Sequence, residues 1–189
     1  CIITGEGEKS FCAGGDIAEY PEFRFSDETL KRFHEDDVAP ALHAMLACDI
    51  PLVAQIEGNC MGGGLEIAAC CDIRIASEDA VFGAPIAKLG FPMAPQEAAI
   101  VLRTVGELTA REMLLEARTF SAQQMLQRGF ISRITADAAQ EASETAQRIS
   151  QLGPQAARLH KQTLRELLKP NRPLAGVLPA QEATKSIAN

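Results

Sequence analysis

Short apolar runs separated by turn residues dominate the first part of the chain and predict strands. Residues 1–4 are apolar and β-branched, and residues 51–56 form a second apolar run, so both predict buried strands. Polar and apolar positions alternate at residues 72–76, which predicts a third strand, and a turn at 77–79 leads to a further strand at Val81 and Phe82. Gly5 to Asp16 is expected to be a loop.

Helical periodicity appears between these strands and takes over after Pro95. Ser26 is expected to cap a helix that runs towards Ala47 with a kink at Pro40. Residues 60–64 contain three successive glycines and are expected to be irregular, followed by a short buried helix over residues 65–71. Further helices are expected over residues 95–105, 109–116, 121–128, 137–152 and 154–168.

This order of elements predicts a layered α/β fold with a helical C-terminal part that could pack on a neighbouring subunit. At 189 residues with no repeat or linker, we expect one folded unit spanning residues 1–189. Because the chain opens inside a predicted strand and ends without a helix stop signal, we expect N-terminal strands and the extreme C-terminus to be missing from this sequence.

Composition narrows the class of protein. A net charge of −7 and a pI near 5.0 argue against nucleic acid as the main partner. The six cysteines lack disulfide or zinc spacing and suit reduced thiols in a cytoplasmic protein. The three histidines also lack metal-ligand spacing, so no metal is predicted, and no apolar run suggests a membrane partner.

The glycine-rich turn before the buried helix is the first candidate site. A strand that feeds Gly62 and Gly63 into a helix leaves the first helical amides unpaired, where they and the helix dipole attract an anion. Glu66 stands in the first turn of this apolar helix, and burial makes it a candidate general base. The alternatives are a ligand-free turn and a glutamate that only caps the helix.

A second stretch of small residues, Ala13 to Gly15, follows the opening strand. It also lets backbone amides approach a ligand. Two such amide sites would form an oxyanion hole if the fold brought them together.

These two stretches resemble the signatures of the crotonase (enoyl-CoA hydratase/isomerase) superfamily. Residues 11–17 (FCAGGDI) are similar to the family's F-[CS]-A-G-x-D motif, and residues 56–76 (IEGNCMGGGLEIAACCDIRIA) resemble its second signature. Further matches in the correct order are residues 82–85, 89–90, 105–106, 118–122 and 129–131.

The resemblance implies a crotonase-like (ClpP/crotonase) fold of repeated ββα units with a helical C-terminal trimerisation region. It implies that the amides of Gly15 and Gly63 bind the thioester oxygen of an acyl-CoA and that Glu66 is the acid/base. It also implies homotrimers or dimers of trimers and no cofactor beyond the coenzyme A of the substrate. The residues implied in substrate or CoA binding are Ala13, Gly14, Gly15, Asp16, Ile17, Gly62, Gly63 and Ile86.

The chain departs from the family pattern at one catalytic position. Hydratases of the family generally use two glutamates, and the second falls at Ile86, which can neither donate nor accept a hydrogen bond. Glu66 alone could move a double bond, or Glu97 could substitute for the missing acid, although a solvated glutamate at a helix start explains Glu97 equally well. A decarboxylase, a non-catalytic acyl-CoA binder and a regulatory subunit of a larger complex remain alternatives.

Two lysines have weaker functional interpretations. Lys88 either faces the pocket or is an ordinary loop lysine. Lys161 either meets the CoA phosphates or belongs to a basic helix face, the interpretation we prefer.

Overall fold

Two four-stranded sheets organise the protein in this computed structural model, which describes residues 1–7, 9–19 and 26–168. The first six strands alternate between the two sheets, whereas the seventh lies in the same sheet as the sixth. The strands come in consecutive twos along the chain, one for each sheet. The first two are β1 (Ile2–Thr4) and β2 (Ser10–Cys12), and the next two are β3 (Val53–Ile56) and β4 (Asn59–Met61). The later pairs are β5 (Ile73–Ser77) with β6 (Val81–Gly83), and β7 (Thr119–Ser121) with β8 (Arg133–Thr135).

The sheet order follows from this alternation. One sheet has the order β1-β3-β5-β8 and is parallel throughout. The other has the order β2-β4-β6-β7, with β2, β4 and β6 parallel and β7 antiparallel to β6. Each early pair of strands is followed by helical structure, so the expected ββα repeat and the α/β class are confirmed.

Helices cover these sheets and account for most of the second half of the described chain. The first three are α1 (Asp27–Arg32), α2 (Ala39–Ala47) and α3 (Gly63–Cys70), with a π-helical segment, Phe33–Val38, joining α1 to α2. Short 3₁₀ turns lie at Ile17–Glu19 and Pro85–Leu89. The remaining helices are α4 (Pro95–Val105), α5 (Glu107–Leu115), α6 (Ala122–Gln127), α7 (Ala138–Ser150) and α8 (Pro154–Leu167).

Local chemistry explains several helix boundaries. The Ser26 hydroxyl accepts a hydrogen bond from the Thr29 amide at 3.5 Å, which confirms the predicted cap. Pro40 has no amide hydrogen, and its ring crowds the carbonyl four residues earlier. The backbone accommodates it with the wider π-helical turns just before it, where the Ala39 amide donates to the His34 carbonyl. The irregularity expected at Pro40 therefore takes the form of a π-helical segment just before it.

Some predicted elements were wrong. The expected loop from Gly5 to Asp16 contains strand β2, and Asn59–Met61 is strand β4 rather than irregular chain. These three-residue strands are stabilised by pairing with distant neighbours, which local periodicity does not register. Strands β7 and β8 were missed after Pro95 for the same reason.

The core lies between the sheets and the helices. Its largest fully buried side chains include Phe82, Phe120 and Phe130, and the Phe82 and Phe130 rings meet edge to face with centroids 5.8 Å apart. Leu65 of α3 is fully buried in the same cluster. All six cysteines are free thiols, and Cys60, Cys70 and Cys71 are buried. Among the described residues, no helix is long and apolar enough to cross a membrane.

Candidate active site

The two glycine-containing loops meet where strands β2 and β4 end. These strands are parallel neighbours, so their carboxyl ends lie at the same edge of the sheet. Gly14 and Gly62 both have left-handed φ angles, +107° and +51°. A Cβ added to Gly14 would lie 3.4 Å from the Met61 carbonyl oxygen, and one added to Gly62 would lie 3.8 Å from the Gly14 Cα. The close approach of the loops therefore depends on small residues on both sides.

Helix α3 starts at this junction with free amides. The Gly62 amide donates to the Gly83 carbonyl at 2.9 Å, and the next amide with an acceptor in the described part of the chain is that of Glu66, which donates to the Gly62 carbonyl at 3.1 Å. The Gly63 amide therefore projects from the helix N-terminus, where the helix dipole favours negative charge. In the adjoining loop, the Gly15 amide donates to no residue within 1–7, 9–19 and 26–168. Only Gly62 of the three glycines has a positive φ, and Gly63 and Gly64 belong to the helix, contrary to the expected irregular segment.

A cavity of about 480 Å³ opens over this helix end. Both predicted oxyanion glycines, Gly15 and Gly63, contribute to its wall, as does the predicted acid/base Glu66. Predicted binding residues that also line it are Ala13, Gly14, Ile17, Gly62 and Ile86. Fold topology thus brings together residues that are more than 70 positions apart in the chain.

Glu66 is buried at the bottom of the first turn of α3, with 7% of its surface exposed. Two effects together raise its pKa from 4.5 to about 7. Burial is the larger, and the negative charge of Glu97 adds to it. A carboxyl group with this pKa is populated in both protonation states near neutral pH, as proton transfer requires.

Glu97 is not the solvated residue that its place at a helix start also allowed. It is 4% exposed in the first turn of α4, and its Oε1 lies 2.7 Å from His34 Nδ1. Both residues line the cavity that contains Glu66. His34 was not recognisable as a site residue from sequence, because the histidines lack metal-ligand spacing and pairing with Glu97 across 63 positions leaves no local signal.

Comparisons with known proteins agree with this architecture. Residues 1–185 match the family model described as enoyl-CoA hydratase/isomerase. The chain belongs to the enoyl-CoA hydratase/isomerase family. A putative enoyl-CoA hydratase/isomerase of Bacillus subtilis, YngF, is 36% identical over 162 residues, which is 85% of this chain and 61% of that protein.

Other members of the enoyl-CoA hydratase/isomerase family give the same result. A short-chain-enoyl-CoA hydratase of Clostridium acetobutylicum is 33% identical over 86% of this chain and 62% of its own length. The crystal structure of an enoyl-CoA hydratase/carnithine racemase from Magnetospirillum magneticum superposes with a TM-score of 0.86 at 36% identity, covering 97% of this chain and 67% of that one. The chain spans about three fifths of the length of the curated relatives it matches.

An apolar side chain, Ile86, stands where the resemblance to the family implies a second glutamate. Ile86 lies in the 3₁₀ turn Pro85–Leu89 and lines the cavity. Lys88 of the same turn is exposed, as expected for a loop lysine, and it also contributes to the cavity wall, as expected for a pocket residue.

Two other predicted residues lie elsewhere. Asp16 does not line the cavity, and its Oδ1 accepts the Ala18 amide at 2.8 Å, which supports the 3₁₀ turn after the loop. The Lys161 ammonium lies 2.7 Å from Asp72, beyond the C-terminal end of α3, and donates to the Ile50 carbonyl at 3.0 Å. Lys161 thus ties α8 to the domain, and nothing here supports a role for it in phosphate binding.

Proposed function

We propose that this protein catalyses a hydratase/isomerase-type reaction on an acyl-CoA thioester, in which the amides of Gly15 and Gly63 stabilise the enolate. The observation that carries the proposal is the meeting of two unpaired-amide loops and a buried glutamate in one cavity. Each amide donor aimed at a developing oxyanion typically contributes about 3 kcal/mol in the transition state. Negative charge on the thioester oxygen eases proton transfer at the adjacent carbon.

In this proposal, Glu66 moves that proton. Its location on the first turn of α3 puts the carboxyl group one helical turn from the Gly63 amide, and its pKa of about 7 allows it both to accept and to donate near neutral pH. Relatives named as enoyl-CoA hydratases support the same class of substrate.

Further parts of the proposal concern binding and assembly. The strip from Ala13 to Ile17 would contact the coenzyme A portion mainly through its main chain, and the chemistry needs no cofactor beyond that coenzyme A. We propose a homotrimer or dimer of trimers, built from a single domain. Exposed leucines on α8 and at its end support assembly through the C-terminal helices: Leu164, Leu167 and Leu168.

The test replaces Glu66 with glutamine, which keeps the shape and removes the proton-transfer group. Wild-type protein is incubated with 2-enoyl-, 3-enoyl- and malonyl-CoA thioesters in heavy water, and products are followed by mass spectrometry. Glu66→Gln should lower kcat about 100-fold or more, with CoA-thioester affinity changed less than about threefold. Glu78→Gln, at an exposed turn, is the matched control.

The outcomes separate the alternatives. Addition of one water or migration of a double bond with deuterium uptake supports the proposal. Loss of carbon dioxide from the malonyl thioester alone would make the protein a decarboxylase instead. Binding of thioesters with no turnover of any of them would make it a non-catalytic binder and overturn the proposal.

A further inference from the structure

The cavity has an apolar side chain, Ile86, where the resemblance implies a second acid, and it contains a histidine and a glutamate on other elements, His34 and Glu97. We propose that His34, oriented by Glu97, removes a proton from water as that water adds to the substrate's double bond. This inference rests on the proposed acyl-CoA function. It assigns His34 as a catalytic residue and Glu97 as its positioning residue, and it makes hydration the reaction.

The contact between the two side chains is short and sheltered. His34 Nδ1 and Glu97 Oε1 are 2.7 Å apart, with side-chain exposures of 15% and 5%. A carboxylate this deeply buried is costly without a hydrogen-bonding partner, and the imidazole supplies one. Glu97 is therefore fixed by His34, and His34 in turn by Glu97.

The direction of this hydrogen bond decides which ring nitrogen is basic. An ionised carboxylate can only accept, so Nδ1 carries the hydrogen and donates it to Glu97. In the form of the ring that acts as a base, Nε2 holds the lone pair, and no described residue hydrogen-bonds to it. A carboxylate that orients one imidazole nitrogen and stabilises the imidazolium cation makes the other nitrogen an effective base.

The backbone around His34 positions the ring over the cavity. His34 belongs to the π-helical segment Phe33–Val38, and such segments widen a helix and turn side chains out of their usual register. The Phe33 ring packs edge-on against the imidazole with centroids 5.1 Å apart. Phe33 and His34 both line the cavity of Glu66.

The pair also stands at a boundary between two cavities. A neighbouring cavity of about 520 Å³ shares His34, Met93 and Glu97 with the first and continues along Phe91 and Pro92. Glu97 and Glu66 line the same cavity, and the negative charge of Glu97 contributes to the raised pKa of Glu66. A substrate double bond beside Glu66 is thus within the volume that His34 borders.

The reaction balances with water as the only co-reactant. His34 Nε2 takes a proton from water while the oxygen bonds to the β carbon of the enoyl thioester, and the π electrons move to the thioester oxygen. Protonated Glu66 then gives its proton to the α carbon, which regenerates the carbonyl. The imidazolium proton returns to the Glu66 carboxylate through solvent, so one water is added and both groups are restored.

The experiment compares two histidines in one helical region. His34→Gln should lower kcat for hydration about 100-fold with KM changed less than about threefold, while exchange of the α proton of a saturated acyl-CoA with deuterium, which needs only Glu66, stays within about threefold. His43→Gln, an exposed histidine on α2, should leave both rates unchanged. Glu97→Gln should lower kcat about 10-fold or more, since the amide still accepts from Nδ1 but no longer stabilises the cation.

Rescue distinguishes catalysis from structural support. Placing an acid at the family's position, Ile86→Glu in the His34→Gln protein, should restore hydration at least about 10-fold, which a merely structural histidine would not predict. If His34→Gln does not fold, His34→Gln/Glu97→Gln carries the test, because two amides preserve a hydrogen bond without burying a charge.

Three results would overturn the inference without touching the proposed function. One is hydration by folded His34→Gln, or by the folded double variant, within about threefold of wild type. Another is wild-type protein that exchanges α protons or moves double bonds but adds no water. The third is the absence of rescue by Ile86→Glu. By contrast, wild-type protein that binds acyl-CoA but processes none would refute the proposed function itself.

Discussion

At its N-terminal end, helix α3 presents unpaired amides to a cavity, whereas at its C-terminal end the same helix gives its carbonyl groups to a partly buried arginine. Arg74 Nη1 donates to the carbonyls of Ala68 and Cys71, and its Nε donates to Phe130. The guanidinium also lies over the Phe130 ring, 5.0 Å from its centroid. Among the described residues, carbonyls at one end therefore have side-chain donors, while amides at the other end have no acceptor.

The region beyond the C-terminal end is braced in the same way. Asp72 accepts the Leu52 amide at 2.7 Å and pairs with Lys161, which connects strand β3, the end of α3 and helix α8. A fixed C-terminal end holds the axis of an eight-residue helix, and with it the Gly63 amide and the Glu66 carboxyl group, for which the described residues provide no hydrogen-bonding partner. We infer that the position of the unpaired amides at the N-terminal end of α3 depends on the contacts that fix its C-terminal end, about 12 Å away.

Removing the closed end should have the largest effect on stability. Arg74→Met keeps the aliphatic stem but removes three hydrogen bonds to carbonyl oxygens, of which only that of Ala68 keeps another donor, the Cys71 amide, among the described contacts. We expect the free energy of unfolding to fall by about 4 kcal/mol. Denaturant unfolding measures this change. Arg111→Met is the control, because Arg111 is exposed and pairs only with Glu107 four residues earlier among the described contacts. A loss below about 1 kcal/mol would show that the arginine does not brace the helix.

Two adjacent glycines at the open end give a smaller and sharper contrast. A Cβ on Gly64 would lie 2.4 Å from the Cys12 carbonyl oxygen, whereas one on Gly63 would meet nothing within 4 Å. Gly64→Ala must therefore push α3 away from β2, and we expect a loss of about 3 kcal/mol. Gly63→Ala should change stability by less than about 1 kcal/mol, since alanine also favours helix. Thermal and denaturant unfolding of both variants check the pair, and equal losses would contradict it.

The contrast between the two ends also shows what could be predicted from sequence. The glycines and Glu66 are neighbours in the chain, so the N-terminal end of α3 was recognisable as a candidate site from local spacing and from the family motifs. The role of Arg74 was not, because its acceptors lie on the preceding helix and at Phe130, 56 positions away. Local patterns identify where amides are free, but only the fold identifies what holds them there.

The same limit applies to the second proton-transfer group. The resemblance implied a second glutamate at Ile86, and Glu97 was considered as a substitute, yet the sequence context of Glu97 allowed a solvated residue equally well. Burial of Glu97 comes from the packing of α4 on α3, and its partner comes from the π-helical turns forced by Pro40. A hydrogen bond between residues 63 positions apart leaves no periodic signal in the chain.

The smallest expected effect tests the electrostatic state of the open end. Folding raises the pKa of Glu66 from 4.5 to about 7 because burial disfavours the charged carboxylate, so the folded state holds this proton more tightly than the unfolded chain. The free energy of unfolding must then fall as pH rises from 4.5 towards 7, and level off above the folded pKa. Glu66→Gln has no proton to lose at this position. Its free energy of unfolding should therefore rise relative to that of wild type by about 2 kcal/mol between about pH 5 and about pH 8. Denaturant unfolding of both proteins across this range measures the difference, with Glu78→Gln expected to follow the wild type. Parallel curves for Glu66→Gln and wild type would mean that Glu66 has the same pKa in the folded and unfolded states, and that the open end of the helix offsets the cost of burying its charge.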